Sequence, residues 1–349
     1  MAVNLAACVT SFLIAFLILP LIIKYSYQKN LMDTPGGRKI HKKVTPSLGG
    51  IAIFIGFATA SFIWTDFYQW QNIRYVMASM LIVFLIGVRD DLVPFRAMHK
   101  LFGQIIAVVI LMFSSIHIES LYGFMGITEI PLVLGYLITG VTIIVITNAF
   151  NLIDGLDGLA GSIGLISLLA FGAWFYWVGD NMFSLFCFAM AGGILSFLVF
   201  NWEPSEIFMG DTGAMVIGML LSVMTIRFMN LNNALALVHP AKFTATISTA
   251  ACFIILPLCD TLRIIILRLS QGKSPFTPDK SHIHHAIMRL GMTHAQTATI
   301  LATVNVVFIV FAFVLKEYSD NYMILAVIAF SVFLSLFLDR LILKKLSSK

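Results

Sequence analysis

The chain has 349 residues, of which 59% are hydrophobic and only 11% are charged, and its formal net charge is +5. This composition excludes a water-soluble domain, because too much apolar surface would face water. The net charge alone would suit nucleic-acid binding, but the basic residues are distributed over loops between apolar runs, so we expect no nucleic-acid partner. The four cysteines lie inside apolar runs without C-x-x-C spacing, which favours neither a disulfide framework nor a zinc site.

Eleven apolar runs approach the length of about 20 residues that a helix needs to cross a bilayer core. They lie near 3–23, 48–65, 72–88, 101–117, 131–148, 159–178, 183–200, 212–229, 243–262, 296–315 and 323–339. The first run has no basic segment before it and no clear cleavage site, so we expect a retained span rather than a signal peptide. The sequence therefore predicts an all-α polytopic membrane protein of about 11 transmembrane helices, with one integral-membrane domain over 1–349.

Basic residues strongly favour one side of the predicted membrane protein. If the N-terminus is outside, 18 of the 22 Lys and Arg residues fall in alternate loops and the C-terminal tail. The positive-inside rule makes this side cytoplasmic, with the N-terminus out and the C-terminus in. Most of the acids and histidines follow the same distribution, so we expect the chemistry to face the cytosol.

An Asp pair, Asp90 and Asp91, ends the third apolar run. Two neighbouring carboxylates repel each other near a low-dielectric boundary unless a cation compensates them. Arg89, Lys100 or a metal ion could supply that charge. The alternative is a solvated helix end without a further role.

The stretch NAFNLIDGLDGLAG, 148–161, follows the fifth apolar run. Its polar side chains recur at a spacing of three: Asn148, Asn151, Asp154 and Asp157. At helical pitch such positions share a face, which predicts a polar stripe at the cytoplasmic end of the span. A second series would let helices approach closely: Gly155, Gly158, Gly161 and Gly164. The alternative is a loop in which Asn and Gly form turns.

The stretch FNWEPSEIFMGDTGAM, 200–215, precedes the eighth span. Asp211 or Thr212 could simply cap the following helix. The functional alternative is an oxygen ligand for a metal beside a helix N-terminus, where backbone N–H groups favour phosphate. Phe208 could offer its ring to a base, although aromatic residues in membrane proteins usually serve packing.

The longest cytoplasmic loop carries three histidines within four positions, His282, His284 and His285, after Asp279. Such a cluster first suggests zinc, but no cysteine or fourth ligand accompanies it. Imidazoles that contact phosphate or sugar oxygens fit at least as well. Three oxygen-rich clusters and a histidine loop on one side together favour a magnesium-dependent reaction of a phosphorylated substrate at a membrane surface.

These motifs, in this order, resemble those of the polyprenyl-phosphate N-acetylhexosamine-1-phosphate transferases. The resemblance extends from about Asp33 to Gly291 and includes TPSLGG at 45–50, DD, NAFNLIDGLDGLAG, FNWEPSEIFMGDTGA and HIHH at 282–285. HIHH resembles the branch that uses UDP-N-acetylglucosamine. One position departs from the family pattern, because Pro94 replaces the acid or amide that often follows the Asp pair, which makes a third metal ligand there doubtful.

The resemblance implies a metal site and a reacting centre. Asp211, with Asn151 as a second ligand, would hold Mg²⁺, for which Mn²⁺ could substitute. Asp90 and Asp91 would lie at the reacting centre, one of them as a base or as the group that organises the lipid phosphate. Lys100 would neutralise phosphate charge.

The resemblance also implies a nucleotide-sugar site. Asp157 and Asn201 would bind the uracil edge, Phe208 would stack on it, and Asp154 would meet the ribose or the amino sugar. The expected contacts of the sugar and diphosphate are Arg268, Asp279, His282, His284 and His285. The residues expected to flank the pocket are Lys42, Lys43 and Ser47.

The resemblance implies transfer of N-acetylglucosamine 1-phosphate from UDP-N-acetylglucosamine to undecaprenyl phosphate, which releases UMP. This would be the first membrane step of O-antigen and enterobacterial common antigen synthesis, at the cytoplasmic face of a bacterial inner membrane. A lipid phosphate is already ionised at neutral pH, which favours direct attack over an aspartyl-phosphate intermediate. The bilayer would be a partner, and a homodimer stays open as an alternative to a monomer.

Three alternatives come from other classes. An ion-coupled transporter also carries intramembrane Asn and Asp, but it places them near the midplane and shows related halves. A CDP-alcohol phosphotransferase has its Asp series within one stretch of about 20 residues, whereas here the next acid after Asp157 is Asp180. A purely structural membrane protein would not need five polar motifs on one side.

Overall fold

The computed structural model describes residues 1–31, 45–66, 68, 70–274 and 282–347. Within them the chain is all helical, which confirms the predicted class. The α-helices are α1 Ala2–Lys29, α2 Gly49–Trp64, α3 Trp70–Leu92, α4 Ala97–Leu111, α5 Leu132–Ile153, α6 Leu159–Trp177, α7 Asn181–Asn201, α8 Gly210–Ala234, α9 Thr246–Phe253, α10 Ile255–Ser270, α11 Ile283–Arg289, α12 His294–Val314 and α13 Asp320–Ser347.

Each of the eleven apolar runs contains a helix, but the helices differ in their ability to cross a membrane. In the described residues, seven are long and apolar enough, and the number rises to eight if a bent pair counts as one span. Helices α2 and α4 have 16 and 15 residues, so each is short for a full crossing. The chain is therefore a multi-pass helical protein, and the number of eleven spans stays a prediction.

The ninth apolar run, 243–262, forms two helices rather than one. Helices α9 and α10 meet at Ile254 with a bend of 91°. Pro257 accounts for the break, because proline has no N–H to donate to the carbonyl of Phe253 four residues earlier. That carbonyl instead accepts a hydrogen bond of 2.6 Å from Ser167 Oγ of α6. The run is thus a broken span or a re-entrant segment.

Helix α8 lies at the centre of the bundle. In the most apolar part of α8, 83% of the residues are buried, compared with 11% in α13. Helix α8 packs against α2, α3, α5 and α6. Small residues allow the closest approaches: a Cβ added to Gly50 of α2 would lie 2.1 Å from the backbone nitrogen of Gly213 of α8. A Cβ on Gly87 of α3 would lie 2.4 Å from Thr212 Cα. Helices α2 and α3 therefore touch the backbone of α8 at its first turn.

The predicted stripe of four polar residues at 148–157 does not continue as one helical face. Helix α5 ends at Ile153, and Asp154 caps it with non-helical φ and ψ of −78° and 63°. Gly158 then has a φ of +75°, a conformation that favours glycine. Asp154 and Asp157 consequently lie on the loop between α5 and α6.

The predicted close approach through the second glycine series is confirmed for α6. A Cβ on Gly161 would lie 2.7 Å from Leu198 of α7, and one on Gly164 would lie 3.1 Å from Ile217 of α8. Helix α6 can therefore pack tightly into the angle between α7 and α8.

One buried acid outside the polar motifs has a structural role. Asp320, which is 4% exposed, accepts hydrogen bonds from the backbone N–H groups of Ile247 (3.1 Å) and Ser248 (2.7 Å). These are free donors in the first turn of α9, so Asp320 caps that helix from a distance.

Candidate active site

The ends of α3, α5, α7 and α8 surround a cavity of about 370 Å³. Nine of the predicted site residues line it: Ser47, Asp90, Asp91, Asn151, Asp154, Asp157, Asn201, Phe208 and Asp211. Four separate motifs therefore meet in one place. The predicted residues Lys42, Lys43 and Asp279 lie outside the described residues.

The first turn of α8 is fixed by a carboxylate from α3. Asp91 accepts hydrogen bonds from the backbone N–H groups of Asp211 (2.8 Å) and Thr212 (3.0 Å) and from Thr212 Oγ1 (2.5 Å). Gly210, the first residue of α8, has a φ of +72°, and a Cβ there would lie 2.0 Å from the Ser47 carbonyl oxygen. Asp91 thus caps α8 from another helix and sets the direction of the Asp211 side chain.

Asp211 lies in a network of polar and charged side chains on α3, α4 and α5. Its Oδ1 accepts a hydrogen bond from Asn151 Nδ2 (2.5 Å) and pairs with Lys100 Nζ (2.9 Å). Lys100 also pairs with Asp90 Oδ2 (2.9 Å), and Asp90 Oδ1 accepts from the N–H of Phe95 (2.5 Å). One ammonium group therefore bridges two acids from different helices.

The cavity carries more negative than positive charge. Lys100 lies at ion-pair distance from Asp90 and Asp211, whereas five aspartate side chains line the cavity wall: Asp90, Asp91, Asp154, Asp157 and Asp211. Burial, together with the smaller effect of the negative charges of Asp211, Asp91 and Asp157, raises the pKa of Asp154 to about 8. At neutral pH Asp154 therefore holds a proton unless a cation enters the cavity.

The donor set fits magnesium better than zinc. Within the described residues, no group of three or more His, Cys, Asp or Glu side chains is arranged to hold a metal ion. Mg²⁺ does not need such a cage, because it binds through one or two carboxylates and completes its shell with water and substrate phosphates. The excess of carboxylates beside Asp211 supplies the charge that such a cation requires.

A second group of side chains shapes the loop between α5 and α6. Asn201 Oδ1 accepts from the N–H of Gly158 (2.8 Å), and Asn201 Nδ2 donates to the carbonyl of Ile207 (2.8 Å). Both ends of this amide are thus engaged with backbone, so Asn201 holds the loop in place. His294 Nδ1 lies 3.1 Å from Asp157 Oδ2, close enough for an ion pair but outside hydrogen-bond geometry.

The histidine segment lies against the same loop. The ring of buried His284 covers Gly155, because a Cβ on that glycine would lie 3.0 Å from His284 Nε2. Burial, together with the smaller effect of the neighbouring His285, lowers the pKa of His284 to about 3, so the ring is neutral at pH 7. The rings of His284 and His285 are 4.4 Å apart. Arg268 is buried on α10.

Three polar residues of this region received no role from the sequence. Asp260 of α10 pairs with His282, His294 pairs with Asp157, and Glu203 Oε2 accepts from the N–H of Ala295 at the start of α12 (2.7 Å). Asp260 could have been noticed, since an acid inside an apolar run is rarely tolerated without a function.

An apolar groove adjoins the cavity between α3 and α4. Its volume is about 660 Å³, and Pro94 belongs to the lining of both. Its remaining lining is Ile82, Ile86, Phe95, Arg96, His99, Phe102, Gly103 and Ile106. The groove between α3 and α4 thus leads along apolar side chains to the carboxylates, with Arg96 and His99 as its two basic side chains.

Comparison with known proteins assigns the chain to a family. Residues 73–229 match the family described as glycosyl transferase family 4. The chain is 31% identical over 321 residues to an undecaprenyl-phosphate alpha-N-acetylglucosaminyl 1-phosphate transferase of Salmonella typhi, covering 90% of this chain and 84% of that protein. It is similar to the protein of the same name from Escherichia coli strain K12 (31%, 89% and 83%). It is also similar to a probable undecaprenyl-phosphate N-acetylglucosaminyl 1-phosphate transferase of Bacillus subtilis (28%, 89% and 84%). The chain therefore belongs to glycosyl transferase family 4, the polyprenyl-phosphate N-acetylhexosamine-1-phosphate transferases that its motifs resemble.

Proposed function

We propose that the chain transfers N-acetylglucosamine 1-phosphate from UDP-N-acetylglucosamine to undecaprenyl phosphate. The products are undecaprenyl-diphospho-N-acetylglucosamine and UMP. The names of the relatives supply the lipid acceptor and the transferred group. The observation that carries the proposal is the cluster at the first turn of α8, where Asp90 and Asp211 share Lys100 and Asp91 fixes the turn.

Asp211 would hold Mg²⁺ with Asn151 as a second ligand, and Mn²⁺ would substitute for it. When bound, the metal would neutralise the diphosphate and stabilise charge that develops on its oxygens. Asn151 donates its amide N–H to Asp211, so its carbonyl oxygen stays available for such a ligand. The fixed first turn of α8 would keep Asp211 in one orientation.

The reaction would bring two anions together. An oxygen of the lipid phosphate attacks the β-phosphorus of the nucleotide sugar, the bond between that phosphorus and the bridging oxygen breaks, and UMP leaves. Lys100 would screen the repulsion between the phosphates, and positioning would supply most of the rate enhancement. The acceptor is already ionised, so a direct displacement needs no strong base.

The apolar groove between α3 and α4 supports a lipid acceptor. Its aliphatic and aromatic lining suits an isoprenoid chain, and Arg96 and His99 could attract its phosphate. Because Pro94 lines both groove and cavity, a chain in the groove would bring its head group to the carboxylates.

The arrangement of the chain in the membrane belongs to the same proposal. It would cross a bacterial inner membrane about eleven times, with the N-terminus out, the C-terminus in and the cavity open to the cytosol. The product would feed surface polysaccharide synthesis such as that of O-antigen or enterobacterial common antigen.

A phosphate-labelled substrate gives the decisive test. Purified protein in nanodiscs is incubated with undecaprenyl phosphate and UDP-N-acetylglucosamine that carries ³²P at the β-phosphate. We expect the label in a chloroform-soluble lipid and unlabelled UMP in the aqueous phase, and EDTA should abolish both. Transfer of the sugar alone would leave the label in UDP and would contradict the proposal, as would product formation in EDTA.

Two controls address the alternatives. Replacing UDP-N-acetylglucosamine with UDP-N-acetylgalactosamine tests whether a related N-acetylhexosamine is the natural substrate. Proteoliposomes without undecaprenyl phosphate test transport, and protein-dependent entry of labelled nucleotide sugar or a cation there would favour a transporter.

A further inference from the structure

Asp260 is a buried acid on α10, just after the 91° bend. It is 3% exposed, and it shares the inward face of α10 with Ile264 and Arg268. The opposite face is apolar and more than half exposed, at Leu262 and Ile266. A carboxylate in so apolar a helix is unfavourable unless it is fully engaged by partners.

Both carboxylate oxygens of Asp260 are engaged at the histidine segment. Oδ2 lies 2.7 Å from His282 Nδ1, and Oδ1 accepts a hydrogen bond of 2.8 Å from the N–H of Ile283. An ionised carboxylate only accepts hydrogen bonds, so beside an ionised Asp260 it is Nδ1 of His282 that donates the proton of this contact. Asp260 therefore selects the protonation of one imidazole and also holds the backbone that follows it.

Ring contacts connect His282 with the wall of the cavity. The rings of His282 and His284 are stacked, with centroids 5.7 Å apart and an interplanar angle of 13°. His284 in turn covers Gly155, which lines the cavity between Asp154 and Asp157. His282 is thus in ring contact with the side chain that packs behind this part of the cavity wall.

We propose that Asp260 is a positioning residue, which acts through His282 to hold the His282–His285 segment against the substrate cavity. This inference rests on the proposed function for its kinetic consequence, but its structural content is independent of it. Carboxylates that orient metal-binding imidazoles contribute about 10-fold to 100-fold to activity, and we expect an effect of the same order for His282.

Asp260→Asn tests the inference with little change in shape. The amide oxygen can still accept from the N–H of Ile283, but the amide group would present N–H rather than oxygen to Nδ1 and so favour the other tautomer. We expect kcat for transfer to fall about 10-fold to 100-fold, and Asp260→Glu to recover part of it. Asp320→Asn is the matched control, because Asp320 is an equally buried acid whose carboxylate binds the backbone of α9 rather than a histidine. It should keep wild-type kcat.

A double-mutant cycle separates positioning from general destabilisation. If Asp260 acts through His282, the variant with both Asp260→Asn and His282→Ala should be no slower than His282→Ala alone. The inference would be overturned if the fold losses in kcat of the two single variants multiply in the double variant. Wild-type kcat in Asp260→Asn would also overturn it. Melting temperatures of all variants show whether they remain folded.

A spectroscopic measurement does not depend on transfer activity. In ¹⁵N-histidine-labelled protein in lipid, solid-state NMR distinguishes protonated from unprotonated ring nitrogens, and His282→Ala assigns the signal. We expect a protonated Nδ1 in the wild type and an unprotonated Nδ1 in Asp260→Asn. An unprotonated Nδ1 in the wild type would refute the role of Asp260, whereas absence of transfer with the expected spectrum would refute only the proposed function.

Discussion

Asp91 and Asp211 illustrate how neighbouring acids in one cavity acquire different tasks. Three donors from the first turn of α8 already engage Asp91, so its main task is to orient that turn. Asp211 is the side chain so oriented, and its partners are a cationic ammonium group and an amide. Sequence reasoning could place both acids at the site, but it could not assign these tasks, since the hydrogen bonds join residues 120 positions apart.

We predict that Asp211→Asn will remain folded but lose transfer activity by at least about two orders of magnitude. The substitution keeps the shape of the side chain and removes the charge proposed to hold Mg²⁺. Turnover is measured on purified protein with saturating Mg²⁺, with Asp320→Asn as the control. Near-normal turnover of Asp211→Asn would count against this metal site.

The raised pKa of Asp154 predicts a pH-dependent stability in the absence of metal. Its folded pKa of about 8 lies above the usual value, so the folded state retains a proton that the unfolded state loses. In EDTA the contribution of Asp154 to the free energy of unfolding should therefore fall as the pH rises from about 4 to about 8. Above about pH 8 this contribution should change little. Melting curves of wild type and Asp154→Asn test this, because the variant should have a smaller slope. Identical slopes would show that Asp154 does not titrate in this range.

Helix ends, rather than helix faces, build the cavity. The sequence located the polar motifs beside the ends of apolar runs, and the glycine series at 155–164 correctly predicted close packing of α6. It could not locate the helix end at Ile153, because the three-residue spacing of Asn and Asp suits a helix as well as a loop. The break at Ile254 had a signal in Pro257, but its outcome depends on Ser167 from another helix.

We predict that Gly50→Ala will destabilise the protein and reduce transfer. The new Cβ would meet the Gly213 backbone rather than a flexible side chain, so α2 must move away from the first turn of α8. The free energy of unfolding should fall by roughly 1–3 kcal/mol. Gly140→Ala on α5 is the control, since its Cβ would have ordinary contacts of 3.4 Å or more. Equal melting temperatures for the two variants would contradict the close contact of α2 and α8.

Across the whole molecule, the cavity differs from other buried polar groups in the ratio of acidic to basic side chains. Away from the cavity, Arg227 pairs with Asp180 at 2.8 Å and lies over the ring of Phe183, so that pair is balanced. At the cavity, one lysine faces several carboxylates. This excess of negative charge favours a site that binds a cation and an anionic substrate over a purely structural cluster. The net charge of +5 gives no indication of it.

We predict that Gln271→Cys will face the cytosol and Leu237→Cys the opposite side. Both positions are exposed, and the loops that contain them differ in Lys and Arg content. In a background with the four native cysteines replaced, a membrane-impermeant maleimide should label position 237 in intact cells and position 271 only after permeabilisation. The reverse pattern would invert the proposed orientation.

The two ion pairs of Lys100 have a consequence for the order of binding. An incoming diphosphate must compete with Asp90 and Asp211 for the same ammonium group, and it would leave both acids uncompensated unless it arrives together with its own cation. Nucleotide sugar and magnesium should therefore bind synergistically, each weakly when alone. Calorimetric titration of UDP-N-acetylglucosamine with and without Mg²⁺ would measure this coupling, and equal affinities would show that the resting ion pairs are no barrier to the substrate.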